Sequence, residues 1–450
     1  MSQQSEFPDL PPAVLREGDE TELPKLKGKA RLLSPNRAQV KWDERDLDSL
    51  IPLQHPARTV WSFVESLDLS DLVEEVQAFE GRAGRPAIDP ALLLALWLYG
   101  MGEDVRCSRD LEELCRMHDA YRWLCGGVSV NYHTLSDFRT QSKIFNGLLT
   151  QTLAVLTKEG ILDVQRVAQD GIRIRASAGA SSFHSKDSME SHLAAAEERV
   201  KRTTEGDRTG SEPVSERQKK ARERAATERA GRVKRALELM PEAERAMQAR
   251  PEKKRTGEPR TSTTDPEARV MKMADGGFRP AYNGQIVADT KTTIILGVDG
   301  VNVGSDMAQL VPMLDQIEKR LGCFPDEILA DGGFPSATAI DGAAARGVRL
   351  TAPVPRPRGE GASKRDRYEP VPGDSEAKVE WRTWMATAEA QEIYRERGAT
   401  IELVNARLRR FGLSRLTVRG LEKVRAMILL SVLTHNLFRA DVLRRARAAA

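Results

Sequence analysis

At 450 residues, with 30% charged, 40% hydrophobic and 5% aromatic side chains, the chain is too long for one small core and too apolar to be disordered throughout. Its 69 Lys and Arg against 66 Asp and Glu give a net charge of +3, too close to balance to name a partner. Four unevenly placed cysteines exclude a disulfide scaffold and fit a reducing cytoplasm, and the longest apolar run, 91–101, is too short to span a bilayer. The distribution of charge says more. Residues 199–260 hold 19 basic and 11 acidic side chains, and residues 394–450 hold 13 and 4, so positive charge is concentrated in two segments, as in proteins that bind polyanions.

Residues 1–57 are rich in Pro, Lys, Arg and Asp, have weak periodicity, and are expected to form a partly ordered arm. From Thr59 the pattern turns helical, with Trp61, Phe63, Val64 and Leu67 at helix spacing. Asp89-Pro90 is a helix start, an N-cap followed by proline at the first helical position. The ALLLALWLYGM behind it is apolar nearly all round, as a buried helix would be. Ser108 is the expected cap of SRDLEELCRMH, and TLSDFRTQS supplies a further helix. These predict a compact helical domain over 58–156, either containing a helix-turn-helix or forming a plain bundle. Cys107, Cys115 and Cys125 lie near His118 and His133, but no Cys-x-x-Cys pair occurs, so buried thiols are expected rather than a zinc site.

Residues 162–176 change to strand character. Val164, Val167 and Ala168 precede Asp170, and Ile172 and Ile174 alternate with arginines. An Asp inside a strand is disfavoured by propensity and needs a reason. Residues 190–250 are rich in Ala, Glu, Arg and Lys and predict a long exposed helix or hairpin, followed by a loop over 251–265. Strands resume at 283–289 and in TTIILGVDGVNV, paired as a hairpin. A helix capped by Ser305 is expected over 305–321, then a short buried strand in DEILAD, a helix over 336–346 and a strand in VRLTAPV. After a charged loop over 355–380, helices resume at Trp381 and end with one spanning about 418–437 that is apolar on one face. The fold class is mixed α/β, preceded by a helical domain and interrupted by a helical insertion after its first strand.

Three acidic residues stand out by their settings. Asp170 and Asp331 each lie at an Asp-Gly junction within or ending a strand run, where α/β sheets gather functional groups. The glycines that follow would permit tight turns and close approach of a ligand. Glu402 lies on a helix among arginines, two turns from Arg409 and on the same face. Three carboxylates can hold two divalent cations such as Mg²⁺, which would cancel their mutual repulsion. Beside a basic helix, that arrangement suits chemistry on nucleic acid phosphates. Glu392, Glu396 and Glu422 compete with Glu402 by position, and Asp289 and Asp299 are rival strand acids.

The chain resembles the DDE transposases of bacterial insertion sequences. Their C-terminal signature, Tyr-x2-Arg followed by Glu-x6-Lys/Arg, reads here YRERGATIELVNAR and then LRR. AQDGIRI and LADGGF resemble the first and second acid motifs, GRPAIDPALLLALWLYG the N-terminal helical domain, and AYNGQIVADT the strand after the insertion. Four residues separate Arg397 from Glu402 where three is the commoner spacing, and Arg409 stands where the family often has Lys. The resemblance covers about residues 58–440. It implies an RNase H-like mixed sheet flanked by helices, with Asp170, Asp331 and Glu402 as catalytic acids binding two Mg²⁺, and Mn²⁺ able to substitute. Tyr394, Arg397 and Arg409 would position Glu402 and the DNA phosphates. It implies strand cleavage at element ends and transfer into target double-stranded DNA by a homodimer or larger synaptic complex. The site of action would be a bacterial cytoplasm, on the nucleoid, with no membrane.

The expected domains are the arm (1–57), a helical DNA-binding domain (58–156), a catalytic core (157–180 with 281–440), a charged helical insertion (181–280) and a basic tail (441–450). The alternatives are a related nuclease without strand transfer, and a non-catalytic DNA-binding descendant. The presence of all three acids argues against the second.

Overall fold

The computed structural model describes residues 38, 40, 44–76, 78, 86–205, 215–249, 252, 255, 257–356 and 366–449. Most of the expected N-terminal arm lies outside these residues, as do positions 84 and 85 of the GRPAIDPALLLALWLYG motif and 357–365 of the charged loop. Asp46–Ala450 forms one compact unit.

Eight strands are described: β1 (Arg166–Arg175), β2 (Phe183–His184), β3 (Thr261–Ser262), β4 (Arg269–Lys272), β5 (Phe278–Asp289), β6 (Ile295–Val301), β7 (Glu327–Leu329) and β8 (Arg349–Thr351). Six of them make one sheet, and β2 and β3 make a separate two-residue pair. The long β5 runs antiparallel to β1 and carries β4 and then β6 along its other edge. On its far side β1 pairs with β7 in parallel, and β7 with β8 in parallel. Parallel neighbours need a crossover, and helix Ala337–Ala344 provides the one between β7 and β8. This is the RNase H-like mixed sheet flanked by helices that the sequence led us to expect.

The helices preceding the sheet form as their signals direct. Asp89 caps Pro90–Gly102, its Oδ1 accepting the Ala91 N–H at 2.8 Å, and every side chain from Leu92 to Met101 is buried. Trp97 at its centre donates its indole N–H to the Leu135 carbonyl at 3.0 Å. Ser108, by contrast, is the first residue of helix Ser108–Met117 rather than its cap; Cys107 occupies the cap position and makes no side-chain bond there. Asn131 caps Tyr132–Phe138 by accepting the Thr134 N–H.

Other elements also differ from expectation. Helix Leu310–Leu321 starts five residues later than the Ser305 reading, because Asp306 is drawn into a polar network on the sheet. Helices resume at Glu376, ahead of Trp381, with Ser375 as cap. The charged region after β1 is a helical hairpin, Lys186–Glu205 packed on Glu216–Glu238, closed by Met189, Val233, Ala236 and Met240. β3 lies inside the stretch read as loop, and β4 extends the main sheet into residues read as insertion.

The C-terminal helix Leu421–Ala448 is buried all round from Ala426 to Leu437, not on one face. One side lies on the sheet, where Ile428 meets Gly284 and Gly300. Its other side meets the N-terminal helices, where Phe438 fits against Gly102, so closely that a Cβ at 102 would stand 2.9 Å from the ring. Asn436 caps the β6 backbone in both directions, accepting from the Ile295 N–H at 2.9 Å and donating to its carbonyl at 2.8 Å. Among the described residues this is also the one helix long and apolar enough to cross a membrane, and 72% of its apolar window is buried within the protein.

Candidate active site

The register of two strands sets the site. In the parallel pair, Ala168 of β1 faces Leu329 of β7. Two residues further along each chain come Asp170, within β1, and Asp331, in the turn after β7; both line one cleft, and the charge of Asp331 acts on Asp170. Both are partly buried. Asp331 lies just beyond the end of β7, where its Oδ1 accepts the Gly333 N–H at 2.7 Å. A Cβ at Gly332 would meet nothing within 4 Å, so this turn is open to a ligand; neither Gly332 nor Gly333 adopts a positive φ.

The helices after the sheet close over Asp170. The Arg397 guanidinium reaches its Oδ1 at 3.1 Å, and the Asn405 amide donates to its Oδ2 at 2.8 Å. Arg397 and Asn405 lie eight residues apart, separated by a π-helical segment, Gly398–Glu402, of the kind often found at functional sites. Asn405 is 6% exposed, and its buried Oδ1 has no hydrogen-bond partner.

Burial pushes the Asp170 carboxyl above its ordinary value. Arg397 and the Gly171 N–H pull it down, while the charges of Asp331 and Asp306 add to the rise, and the upward terms win. Tyr394 joins the group: burial raises its hydroxyl, Arg397 works against that, and the charges of Asp331 and Asp170 push it up further. Arg409 lines the same cleft as Asp170 and Asp331, with a volume of about 670 Å³.

Glu402 stands apart from the pair. It is exposed at the end of the π segment, with its carboxylate lying over Gly398. Among the described residues no three His, Cys, Asp or Glu side chains are gathered closely enough to hold a metal. The structure therefore brings together Asp170, Asp331, Tyr394 and Arg397, with Arg409 on the cleft wall, and leaves Glu402 between Tyr394 and Arg409 along the chain. The rival acids are engaged elsewhere. Asp289 holds the Thr292 N–H and hydroxyl, Asp299 and Glu422 pair with Arg425, Glu396 with Arg166 and Glu392 with Arg395.

Beside Asp170, with Asp306 and Arg173 lining the same cleft, lies a polar network that sequence reasoning missed. Asp306 accepts from Arg173 at 2.7 Å, from Asn283 at 2.7 Å and from Gln285 at 2.6 Å. Burial raises the Asp306 carboxyl, but these donors outweigh it and hold it below the usual range. The network explains Gly171, since a Cβ there would collide with Asp306 Oδ1. Its sequence signal was a polar stripe of period two, Gln169, Gly171 and Arg173 on β1 against Asn283 and Gln285 on β5. Asn405 was also missed; its signal was its position two turns beyond Arg397.

Two families match the chain. Residues 45–141 match the family described as Transposase domain (DUF772), and residues 250–437 match the one described as Transposase DDE domain. The chain belongs to the DDE transposases of insertion-sequence type. The second match takes in Asp331, Glu402 and the signature around them, and begins after Asp170. No curated protein and no solved structure matches the transposase.

Proposed function

We propose that this transposase cleaves DNA strands at the ends of an insertion sequence and joins the freed ends to target DNA, with Asp170, Asp331 and Glu402 as its catalytic acids. The observation that carries the reading is the placement of Asp170 and Asp331 in one cleft, a pair of partly buried carboxylates walled by arginine. Asp170 lies outside the family match and enters the reading through this shared cleft with Asp331, which lies inside it. Glu402 enters as the third acid because every competing acid has a partner, and because it lies between Tyr394 and Arg409 on one run of helix. An exposed glutamate has the rotamer freedom to swing toward the pair.

The donor set fits a hard divalent cation. It offers carboxylate oxygens, with no sulfur or imidazole, and burial raises the Asp170 carboxyl, a penalty that a bound cation would relieve. Asp170, Asp331 and Glu402 would hold Mg²⁺, or Mn²⁺ in its place. Two such ions would activate the attacking oxygen and steady the leaving one.

The protein's own residues orient and screen. Arg397 and Asn405 fix the Asp170 carboxylate from two sides, Tyr394 hydrogen-bonds Arg397, and Arg409 can take a phosphate oxygen at the cleft wall. In cleavage, a water oxygen bonds to phosphorus as the bond to the 3′ oxygen breaks, leaving a 3′-OH and a 5′-phosphate. In joining, that 3′ oxygen bonds to a target phosphorus and a target 3′ oxygen leaves. Each joining step conserves phosphodiester bonds, so no nucleotide cofactor is needed. Two ends must be joined, which favours a homodimer or larger synaptic complex acting on nucleoid DNA in the cytoplasm.

The test uses duplex DNA bearing the sequences that flank the coding region, with Mg²⁺ supplied. The whole chain should nick the element end and join a pre-cleaved end to plasmid. Asp170→Ala, Asp331→Ala and Glu402→Ala should each lose both products. Retention of both by Glu402→Ala would remove that residue from the proposal; nicking without joining by the unaltered chain would make it a nuclease.

A further inference from the structure

The chemistry above makes no use of the helical hairpin inserted after β1. Its second helix, Glu216–Glu238, borders a cleft of about 1040 Å³ whose other walls come from the N-terminal helices and from the segment leading into the C-terminal helix. Cations from three distant stretches of chain converge there: Arg232 and Arg235 from the hairpin, Arg109 and Arg139 from the N-terminal helices, and Arg419 and Lys423 from the C-terminal segment.

The cleft is short of acids. It is lined by Asp137, Glu228 and Glu267, and the last two already lie near Arg232 and Arg235, each at 3.8 Å. Arg109 rests on the Tyr132 ring and Arg419 on the Ser177 carbonyl; among the described residues neither they nor Lys423 has a carboxylate partner. Burial lowers the Arg232 guanidinium, and the charge of Arg419 lowers it further, outweighing Glu228. Two guanidinium Nε groups, of Arg232 and Arg139, are buried with no acceptor, and Arg139 is only 8% exposed. Arg139 also donates to the Arg106 carbonyl and the Thr417 hydroxyl and lies over the Trp97 ring, which fixes it in place. A merely solvated basic surface spreads its cations into water; here they crowd one another in one cleft, an arrangement suited to an anion.

One run of chain leads from the acid pair to this cleft. From Asp170, β1 runs to Arg175, which bridges Arg415, and on to Ser177, whose carbonyl receives Arg419. Seven residues of extended chain reach up to roughly 23 Å, or about seven nucleotides of one strand of B-DNA.

We propose that this arginine cleft is a binding site for the phosphodiester backbone of duplex DNA, completed by the docked hairpin, and that it grips the substrate about seven nucleotides from the phosphate being cut. The proposal rests on the reading of this protein as one that acts on DNA, and gives the insertion a role in it.

The test measures fluorescence anisotropy of a labelled duplex of about 40 base pairs, of arbitrary sequence, titrated with the full chain over a range of salt. Arg419→Glu/Lys423→Glu is the main variant, since both side chains are exposed. Arg232→Glu carries the test into the hairpin. The double variant should bind ten- to a hundredfold more weakly, and its slope of log affinity against log salt should flatten by about two. Thermal melting by circular dichroism should be unchanged in the double variant. Steep salt dependence in the unaltered chain with the same slope in both variants would overturn the cleft and leave the DNA reading standing. If the unaltered chain shows no salt-dependent binding, the DNA reading falls and the cleft falls with it.

Discussion

Two rungs of the same strand pair carry opposite electrostatics. At one, Arg166 of β1 faces Glu327 of β7 in register and pairs with it at 2.6 Å. The second Glu327 oxygen takes the Thr351 hydroxyl at 2.5 Å, and Arg166 also reaches Glu396 at 2.9 Å. Four residues along β1, Asp170 shares a cleft with Asp331, and like lies near like. The first rung answers its charges within the chain. The second place sets two partly buried carboxylates together, with Arg397 and the Asn405 amide on the two oxygens of Asp170.

The largest effect expected from this contrast is on rate. Asp170→Asn should lower strand cleavage by on the order of a thousandfold or more, and Glu327→Gln should leave turnover per folded molecule within about threefold of the unaltered chain. Equal losses from both would end the distinction.

Stability should respond in the reverse order. Glu327→Gln removes charge from two buried interactions and should lower the free energy of unfolding at pH 7 by about 1–3 kcal/mol. Asp170→Asn should cause no loss, or a gain. Burial and Asp331 raise the native Asp170 carboxyl above its unfolded value, so its favourable contribution is complete below the unfolded pKa, near 4, and lost as pH rises through the native one. Any advantage of Asp170→Asn at pH 7 should therefore shrink toward pH 3 in urea titrations. A destabilisation matching that of Glu327→Gln would contradict a carboxyl raised by burial.

A third test adds the cation without asking for activity. Millimolar Mg²⁺ should raise the melting temperature of the unaltered chain by a few degrees, shift Glu327→Gln in parallel, and leave Asp170→Asn flat. Asn405→Ala should produce the smallest effect, about a tenfold fall in turnover with a higher Mg²⁺ concentration for half-maximal rate. A loss of folding stability with no change in Mg²⁺ requirement would reduce Asn405 to a structural residue.

Local signals carried much of the fold. The Asp89-Pro90 start, the hairpin of β5 and β6 and the short strands after it formed near their predicted positions, because caps and alternation act over a few residues. Boundaries set by long-range contacts were less legible. Ser305 looked like a cap, yet the chain beside it is held by Asp306 bonding to Arg173 more than a hundred residues away. The C-terminal helix shows one apolar face by period, but packing on both sides buries the rest. At the site, Asp170 and Asp331 were visible as Asp-Gly junctions, though only the folded sheet brings them into one cleft. Tyr394, Arg397 and Arg409 were visible through the signature. Asn405 was not, since its spacing from Arg397 gains meaning only once Asp170 is known to be the partner of both.

The doubly packed C-terminal helix ties two layers to one element, the sheet on one side and the N-terminal helices on the other. Loss of that helix would expose two apolar surfaces at once. The two layers should therefore lose their rigidity together rather than one by one.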